Sequence, residues 1–373
     1  MKLVASSADL LRGILTVSKA IPAKTSVAIL ENYLFEVDGD KLFITASDME
    51  LTLKTQVAAQ NGSEDGKVAV PSRQLTELLK EMPDQPIRIS SINENMLECV
   101  WSTGESTLPY YNAEDYPVLR ELTDDKTVIS IDAKELVEGM NSTLYAASDD
   151  EARPIVNSIF FDIKGGALTM VATDLQVLLC YNTKEVKVSG DTSFVLNRRH
   201  AAALRTVIDK EDGEVRISFD DKIIVFEFAG TIAICSMVSG KYPDYTTIIP
   251  SNNANILKAD RQEFLNCVKR VAVFSSQASK HLKLDIQRTA LEISAQDLGF
   301  EVAAHDKLSC EYNGEEMNIG FKSGQLIDLL SNIPCERIEM KIADKRRAAL
   351  VLPSEDEADA SKVFGIVMPV MVK

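Results

Sequence analysis

Three aspartates occupy the same place in three similar phrases. Asp48 lies in LFITASDMELTL (42–53), Asp174 in LTMVATDLQVLL (168–179) and Asp297 in LEISAQDLGFEV (291–302). Carboxylates serve as general acids and bases, or as metal ligands, when a fold gathers them. Here each stands in its own copy of the phrase, 126 and 123 residues from the next, so the fold would keep them apart. The expected role is a strand-end or turn aspartate accepting from local backbone N–H groups. Other reactive side chains are equally dispersed. The three histidines (His200, His281, His305) stand in unrelated contexts and suggest neither a zinc set nor a triad. The six cysteines (Cys99, Cys180, Cys235, Cys267, Cys310, Cys335) form no C-x-x-C pair. Five of them adjoin apolar residues, as reduced core thiols of a cytosolic protein do. No G-x-x-x-x-G-K-[ST], H-E-x-x-H or G-x-S-x-G motif occurs. The expectation is no catalytic residues, no metal and no cofactor: a scaffold rather than an enzyme.

The aspartate spacing is near one third of the 373 residues, so the elements around each phrase should repeat as well. A helical signature opens each third: ADLLRGILTVSKAIP (8–22), AKELVEGMNSTLYAAS (133–148) and RQEFLNCVKRVAVFSS (261–276). An acid followed by two apolar residues recurs as Asp9-Leu10-Leu11, Glu135-Leu136-Val137 and Glu263-Phe264-Leu265, and Ile14, Met140 and Val268 complete one apolar helix face. A second helix follows each aspartate phrase: SRQLTELLKEM (72–82), RRHAAALRTVI (198–208) and SGQLIDLLSNI (323–333). Alternating strands such as KIIVFEF (222–228) and IEMKIA (338–343) fill the rest. The thirds end in DYPVL (115–119), YPDYTTIIP (242–250) and GIVMPVMV (365–372), phrases that look alike. The fold class is therefore α+β: three similar domains, each with two helices packed on antiparallel sheet. Polar, turn-rich boundaries place the domains at 1–125, 126–252 and 253–373.

Net charge is −16, which alone argues against a nucleic-acid partner. The basic residues, however, gather on the helices: Arg12 and Lys19, Arg73, Arg198, Arg199 and Arg205, Lys269 and Arg270. Many acids lie in turns, as in GSEDG (62–66), DKEDGE (209–214) and PSEDEAD (353–359). Solvated helix faces and a helix-lined basic surface both fit this pattern. The start, MKLVASSADLL, carries no apolar secretory segment, and no run reaches the ~18 apolar residues of a membrane span. The expected location is the cytoplasm, with no membrane partner.

The threefold unit, VATDLQVLL, KYPDYTTIIP and the terminal IVMPV together resemble the bacterial DNA sliding clamp, the beta subunit of DNA polymerase III, along the whole chain. The resemblance implies a DNA clamp fold: a head-to-tail homodimer closed into a ring, helices lining the hole, double-stranded DNA passing through it. It implies a non-catalytic processivity factor that tethers the replicative DNA polymerase catalytic subunit, the clamp loader, and repair and translesion proteins. These partners would insert a short peptide with apolar anchors into a pocket formed by Arg153, Val156, Thr173, Leu178, Pro243, Ile248, Ile366, Met368 and Pro369. Leu175-Gln176-Val177 stands where relatives often carry Gly-His-Arg, which makes the rim less basic. The resemblance also implies DNA contacts at Lys24, Arg73, Arg198 and Arg199, and a ring interface at Leu108, Val273 and Phe274. A pseudosymmetric protein-interaction scaffold that does not encircle DNA is the alternative that the acidic charge leaves open.

Overall fold

The computed structural model describes residues 1–373 other than Asn61, Lys184, Glu185, Lys187, Ser189, Leu298, Ala358, Asp359 and Lys373. Leu298 of the third aspartate phrase and Ala358 and Asp359 of PSEDEAD therefore lie outside the described residues. The chain forms two compact units, Met1–Lys134 with Ala202–Met237 and Glu135–Ala201 with Val238–Lys373.

In the first unit a four-stranded sheet runs β1 (Lys2–Ser6), β6 (Pro86–Ser91), β7 (Met96–Trp101), β8 (Gly104–Pro109). An eight-stranded sheet runs β5 (Gly66–Pro71), β2 (Asn32–Asp38), β3 (Lys41–Ser47), β4 (Leu51–Ala58), β16 (Thr231–Ser236), β15 (Ile223–Phe228), β14 (Glu214–Phe219), β9 (Thr127–Asp132). Helices α1 (Ser7–Val17) and α2 (Ser72–Lys80) pack on these strands. In the second unit a nine-stranded sheet runs β13 (Thr192–Asn197), β10 (Ser158–Lys164), β11 (Ala167–Thr173), β12 (Val177–Asn182), β25 (Val363–Val367), β24 (Ala349–Pro353), β23 (Arg337–Ile342), β17 (Asn255–Asp260), β21 (Glu311–Tyr312). A four-stranded sheet runs β20 (Val302–Ser309), β19 (Ala290–Asp297), β18 (His281–Ile286), β22 (Met317–Lys322). Helices α5 (Arg261–Ala272) and α6 (Ser323–Asn332) pack together there. Helices α3 (Ala133–Thr143) and α4 (Arg198–Ile208) have residues in both units. Among the described residues the chain thus carries the expected six α-helices on antiparallel sheet.

The first helix of each repeat starts where its sequence supplies an N-cap acceptor. Ser6 Oγ accepts from the Asp9 N–H at 3.2 Å, and Asp260 Oδ1 from the Glu263 N–H at 2.7 Å. The apolar stripe then faces inward: Leu10 and Ile14, Leu136 and Met140, Phe264 and Val268 are all fully buried. Gly13 lets α1 approach β4 closely, since a Cβ there would sit 2.6 Å from Val57 Cγ2.

The three terminal phrases are not equivalent. DYPVL and YPDYTTIIP follow the last strand of their repeats and contribute to short 3-10 turns, Ala113–Asp115 and Tyr245–Ile248. GIVMPV instead begins inside β25, to which it supplies Gly365, Ile366 and Val367. Apolar composition made them look alike, whereas strand pairing assigns them to different elements.

Candidate partner groove and DNA-facing residues

The aspartate phrases build turns. Asp174 Oδ1 accepts from the N–H groups of Gln176 at 2.8 Å and Val177 at 2.7 Å. Asp48 Oδ1 does the same for Glu50 and Leu51, and Asp297 Oδ1 accepts from Gly299. These three carboxylates therefore serve their own backbones. The middle turn is further closed by Thr173, whose Oγ1 donates to Val177 O at 2.6 Å and accepts from Leu175 N at 2.9 Å. Leu175 takes φ 75°, which costs a non-glycine residue energy that the turn's hydrogen bonds offset. The strand leaving this turn, β12, pairs with β25 and sets Leu178 against Ile366.

Leu178 and Ile366 belong to a buried apolar cluster with Val171, Cys180, Val195 and Tyr242. Partly buried Ile155, Phe160, Ile249 and Leu350 pack against it. Phe160 stacks on Tyr242, ring centroids 4.8 Å apart. Burial raises the Tyr242 hydroxyl above its ordinary pKa, so it stays protonated and donates to Val171 O at 3.4 Å. Burial likewise raises the Cys180 thiol, which fits a core residue and not a nucleophile.

Around this floor stand more exposed groups. The Met368 N–H donates to Gln176 O at 2.9 Å, which fixes Met368, 43% exposed, beside the turn. Pro369 is half-buried, and Pro243 is exposed next to buried Tyr242. Ile248 is exposed, and its neighbour Ile249 is the one packed on the cluster. The same shift by one residue occurs at 155–156, where Ile155 touches the cluster. Val156 is buried, its N–H donating to Arg153 O at 3.1 Å. Arg153 points its charge at Asp150, Nε to Oδ2 2.7 Å, and that bond holds the Asp150 carboxyl below its usual range. Gln176 Oε1 accepts from Lys322 Nζ at 2.7 Å and from Gln325 Nε2 at 3.1 Å. Sequence reasoning missed Val171, Cys180, Phe160 and Tyr242. For Phe160, Val171 and Cys180, alternation with Leu178 and Thr173 on paired strands was the available signal, whereas Tyr242 lies outside the strands.

The expected DNA residues differ in their local electrostatics. Lys24 is exposed, with no ion-pair partner among the described residues. Arg73 pairs with Glu77 one helical turn on, Nε to Oε1 3.1 Å. Arg198 at the start of α4 is ion-paired to Asp149, and its N–H donates to Asn157 O at 3.1 Å. The Arg199 N–H donates to Asn197 Oδ1 at 2.8 Å. Arg12 pairs with Asp9 and Arg270 with Asp306. The helix charges are thus partly neutralised, residue by residue.

The expected interface residues sit at sheet edges and a helix end. Leu108 is buried on β8, the outermost strand of its sheet. Val273 and Phe274 follow α5 and are 73% and 41% exposed. Val302, 40% exposed on edge strand β20, was not anticipated. Among the described residues no group of three or more His, Cys, Asp or Glu side chains could hold a metal ion, and no helix is long and apolar enough to cross a membrane.

Three family descriptions cover nearly the whole chain: DNA polymerase III beta subunit N-terminal domain at residues 1–120, central domain at 130–244 and C-terminal domain at 246–370. The chain belongs to the DNA polymerase III beta subunit family. A beta sliding clamp of Pseudomonas aeruginosa is 26% identical over 361 residues, 96% of this chain and 97% of its own. A beta sliding clamp of Caulobacter vibrioides is 26% identical over 379 residues, covering both chains fully. Among solved structures, the DnaN sliding clamp (DNA polymerase III subunit beta) from Pseudomonas aeruginosa bound to griselimycin superposes with a TM-score of 0.94 at 26% identity, with full coverage of both chains. A second structure of the Pseudomonas aeruginosa subunit gives 0.91 at the same identity. Membership in this family accounts for the threefold repeat of helices and sheet.

Proposed function

We propose that two copies of this chain close head to tail into a ring around duplex DNA and tether the replicative polymerase and other DNA-processing proteins. Each copy contributes three domains, 1–125, 126–252 and 253–373. The role is non-catalytic and cytoplasmic. The observation that carries the ring is the repeated use of one sheet junction. β4 pairs with β16, setting Leu51 against Cys235, and β12 pairs with β25, setting Val177 against Val367. Two equivalent strands keep an open edge: β20 and β8. Val302 pairs with Asp297 where Leu51 and Val177 bond Asp48 and Asp174. Leu108 faces Leu97 where Cys235 faces Ile224 and Val367 faces Ala349. The third junction therefore joins β20 of one copy to β8 of another, with Val302 against Leu108. Exposed Val273 and Phe274 extend this apolar contact.

A head-to-tail contact that closes after two copies covers the β20 and β8 edges of both. DNA held topologically needs only weak, sequence-independent phosphate contacts. Lys24, Arg73, Arg198 and Arg199 supply them in this reading. Partner peptides place apolar anchors on the Leu178–Ile366 floor, between Met368 and Pro369 on one side and Pro243 and Ile248 on the other. Thr173 shapes the turn, Ile155 stands at the cluster in place of Val156, and Arg153 forms the far rim. Cysteines introduced as Leu108→Cys and Val302→Cys test the register. Oxidation of the double variant should link the two chains through a 108–302 bond at each of the two junctions, and the absence of that link in a dimeric sample would refute the junction.

A further inference from the structure

The β4–β16 junction repeats the design of the proposed partner groove almost residue for residue. Met49 and Leu175 both take φ 75°. Ser236 N–H donates to Glu50 O at 2.7 Å, as Met368 N–H donates to Gln176 O at 2.9 Å. Thr52 faces Ile234 where Leu178 faces Ile366. Buried Tyr116 precedes Pro117 as buried Tyr242 precedes Pro243. Thr52, Ile234, Ser236 and Pro117 thus stand where the other junction has Leu178, Ile366, Met368 and Pro243.

The two grooves differ in what fills them. Arg120 lies in the segment that follows Tyr116-Pro117 and reaches back into the junction. Its Nη1 donates to Ser236 Oγ at 2.7 Å and its Nη2 to Met49 O at 2.8 Å. The space left is a cavity of about 50 Å³ lined by Thr52, Pro117, Ile234 and Arg120 itself, among others. The residue in the matching place after Tyr242-Pro243 is Thr246, which turns away to bond Asp244 through Oγ1 at 2.6 Å.

We propose that Arg120 is the resident occupant of a duplicate peptide groove, and that with Thr52 and Ser236 it restricts partner peptides to one per chain. The proposal deepens, and rests on, the reading of the β12–β25 groove as the partner site. Its physical basis is twofold. An apolar anchor entering the β4–β16 groove would have to displace a guanidinium from two hydrogen bonds, leaving Met49 O and Ser236 Oγ without partners. It would then pack against two hydroxyls where the other groove offers Leu178 and Met368. The duplicated fold would otherwise present two grooves per chain, and a ring would carry twice as many competing partners.

Calorimetric titration with a short peptide bearing leucine and phenylalanine anchors separates the two readings. The wild-type chain should bind one peptide, and Met368→Ala should weaken that site by at least ~30-fold. Peptide affinity unchanged by Met368→Ala overturns the β12–β25 reading itself. The triple variant Arg120→Ala, Thr52→Leu, Ser236→Met should bind two peptides per chain, and adding Met368→Ala to it should return the count to one strong site. Arg120→Ala alone removes only a surface-exposed side chain and uncovers Ile234, so it should gain a second, weaker site without loss of folding. One site per chain in both Arg120 variants overturns the duplicate-groove proposal while leaving the first reading intact.

Discussion

Leu178 and Ile366 face each other across the β12–β25 ladder, and each is only 2% exposed. They come from strands far apart in the chain, yet they form one floor. Met368, two residues beyond Ile366, is 43% exposed on the same strand exit. Floor and rim should therefore respond differently to truncation. Leu178→Ala opens a cavity in a packed cluster and should cost ~2–5 kcal/mol of stability. Met368→Ala should leave the melting temperature within a few degrees of wild type and cost peptide affinity alone. Paired thermal melts and peptide titrations check this, and a large drop in melting temperature for Met368→Ala would assign it to the core instead.

Phe274 and Val302 should govern dimerisation. Both are exposed apolar side chains on the single chain, one beyond α5 and one on the free edge of β20. An aspartate at either position would bury a charge in the proposed contact, which is costly without a partner. Phe274→Asp and Val302→Asp should each sediment as monomers with unchanged circular dichroism. Fully dimeric variants would remove these residues from the interface.

The Arg198–Asp149 ion pair shapes the DNA prediction. Removing one cation that neutralises a phosphate should reduce the salt slope of DNA binding by ~0.9. Lys24→Ala should show this change in full, because Lys24 has no ion-pair partner among the described residues to compete with phosphate. Arg198→Ala should show less, since Asp149 already offsets its charge. Asp149→Asn should tighten DNA binding by releasing Arg198. The measurement is DNA affinity as a function of salt concentration, and a weakened Asp149→Asn complex would contradict the ordering.

Much of this was legible in the residues. Among the described residues, five of the α-helices fall inside the segments whose apolar spacing announced them and α1 starts one residue earlier, at Ser7, because an apolar stripe at helical spacing has one way to be buried. The aspartates were read correctly as turn acceptors, since Asx chemistry is local. What escaped were relations between distant segments. Nothing near Arg198 in sequence marks Asp149 as its partner. The one-residue displacements, Ile155 for Val156 and Ile249 for Ile248 at the cluster, depend on the local path of the backbone, which side-chain type does not reveal. GIVMPV resembles the two tyrosine-proline phrases in being apolar and terminal, although hydrogen bonding places its Gly365–Val367 in a central strand.

The central claim is topological: the chain acts as a closed ring around DNA. Loading the protein onto nicked circular DNA with a clamp loader and then linearising the circle tests it most directly. Gel filtration should show the protein travelling with the circle through high-salt washing and released once the DNA has ends. Retention on linear DNA, or no salt-resistant association with the circle, would contradict encirclement and favour a scaffold that binds proteins without enclosing DNA.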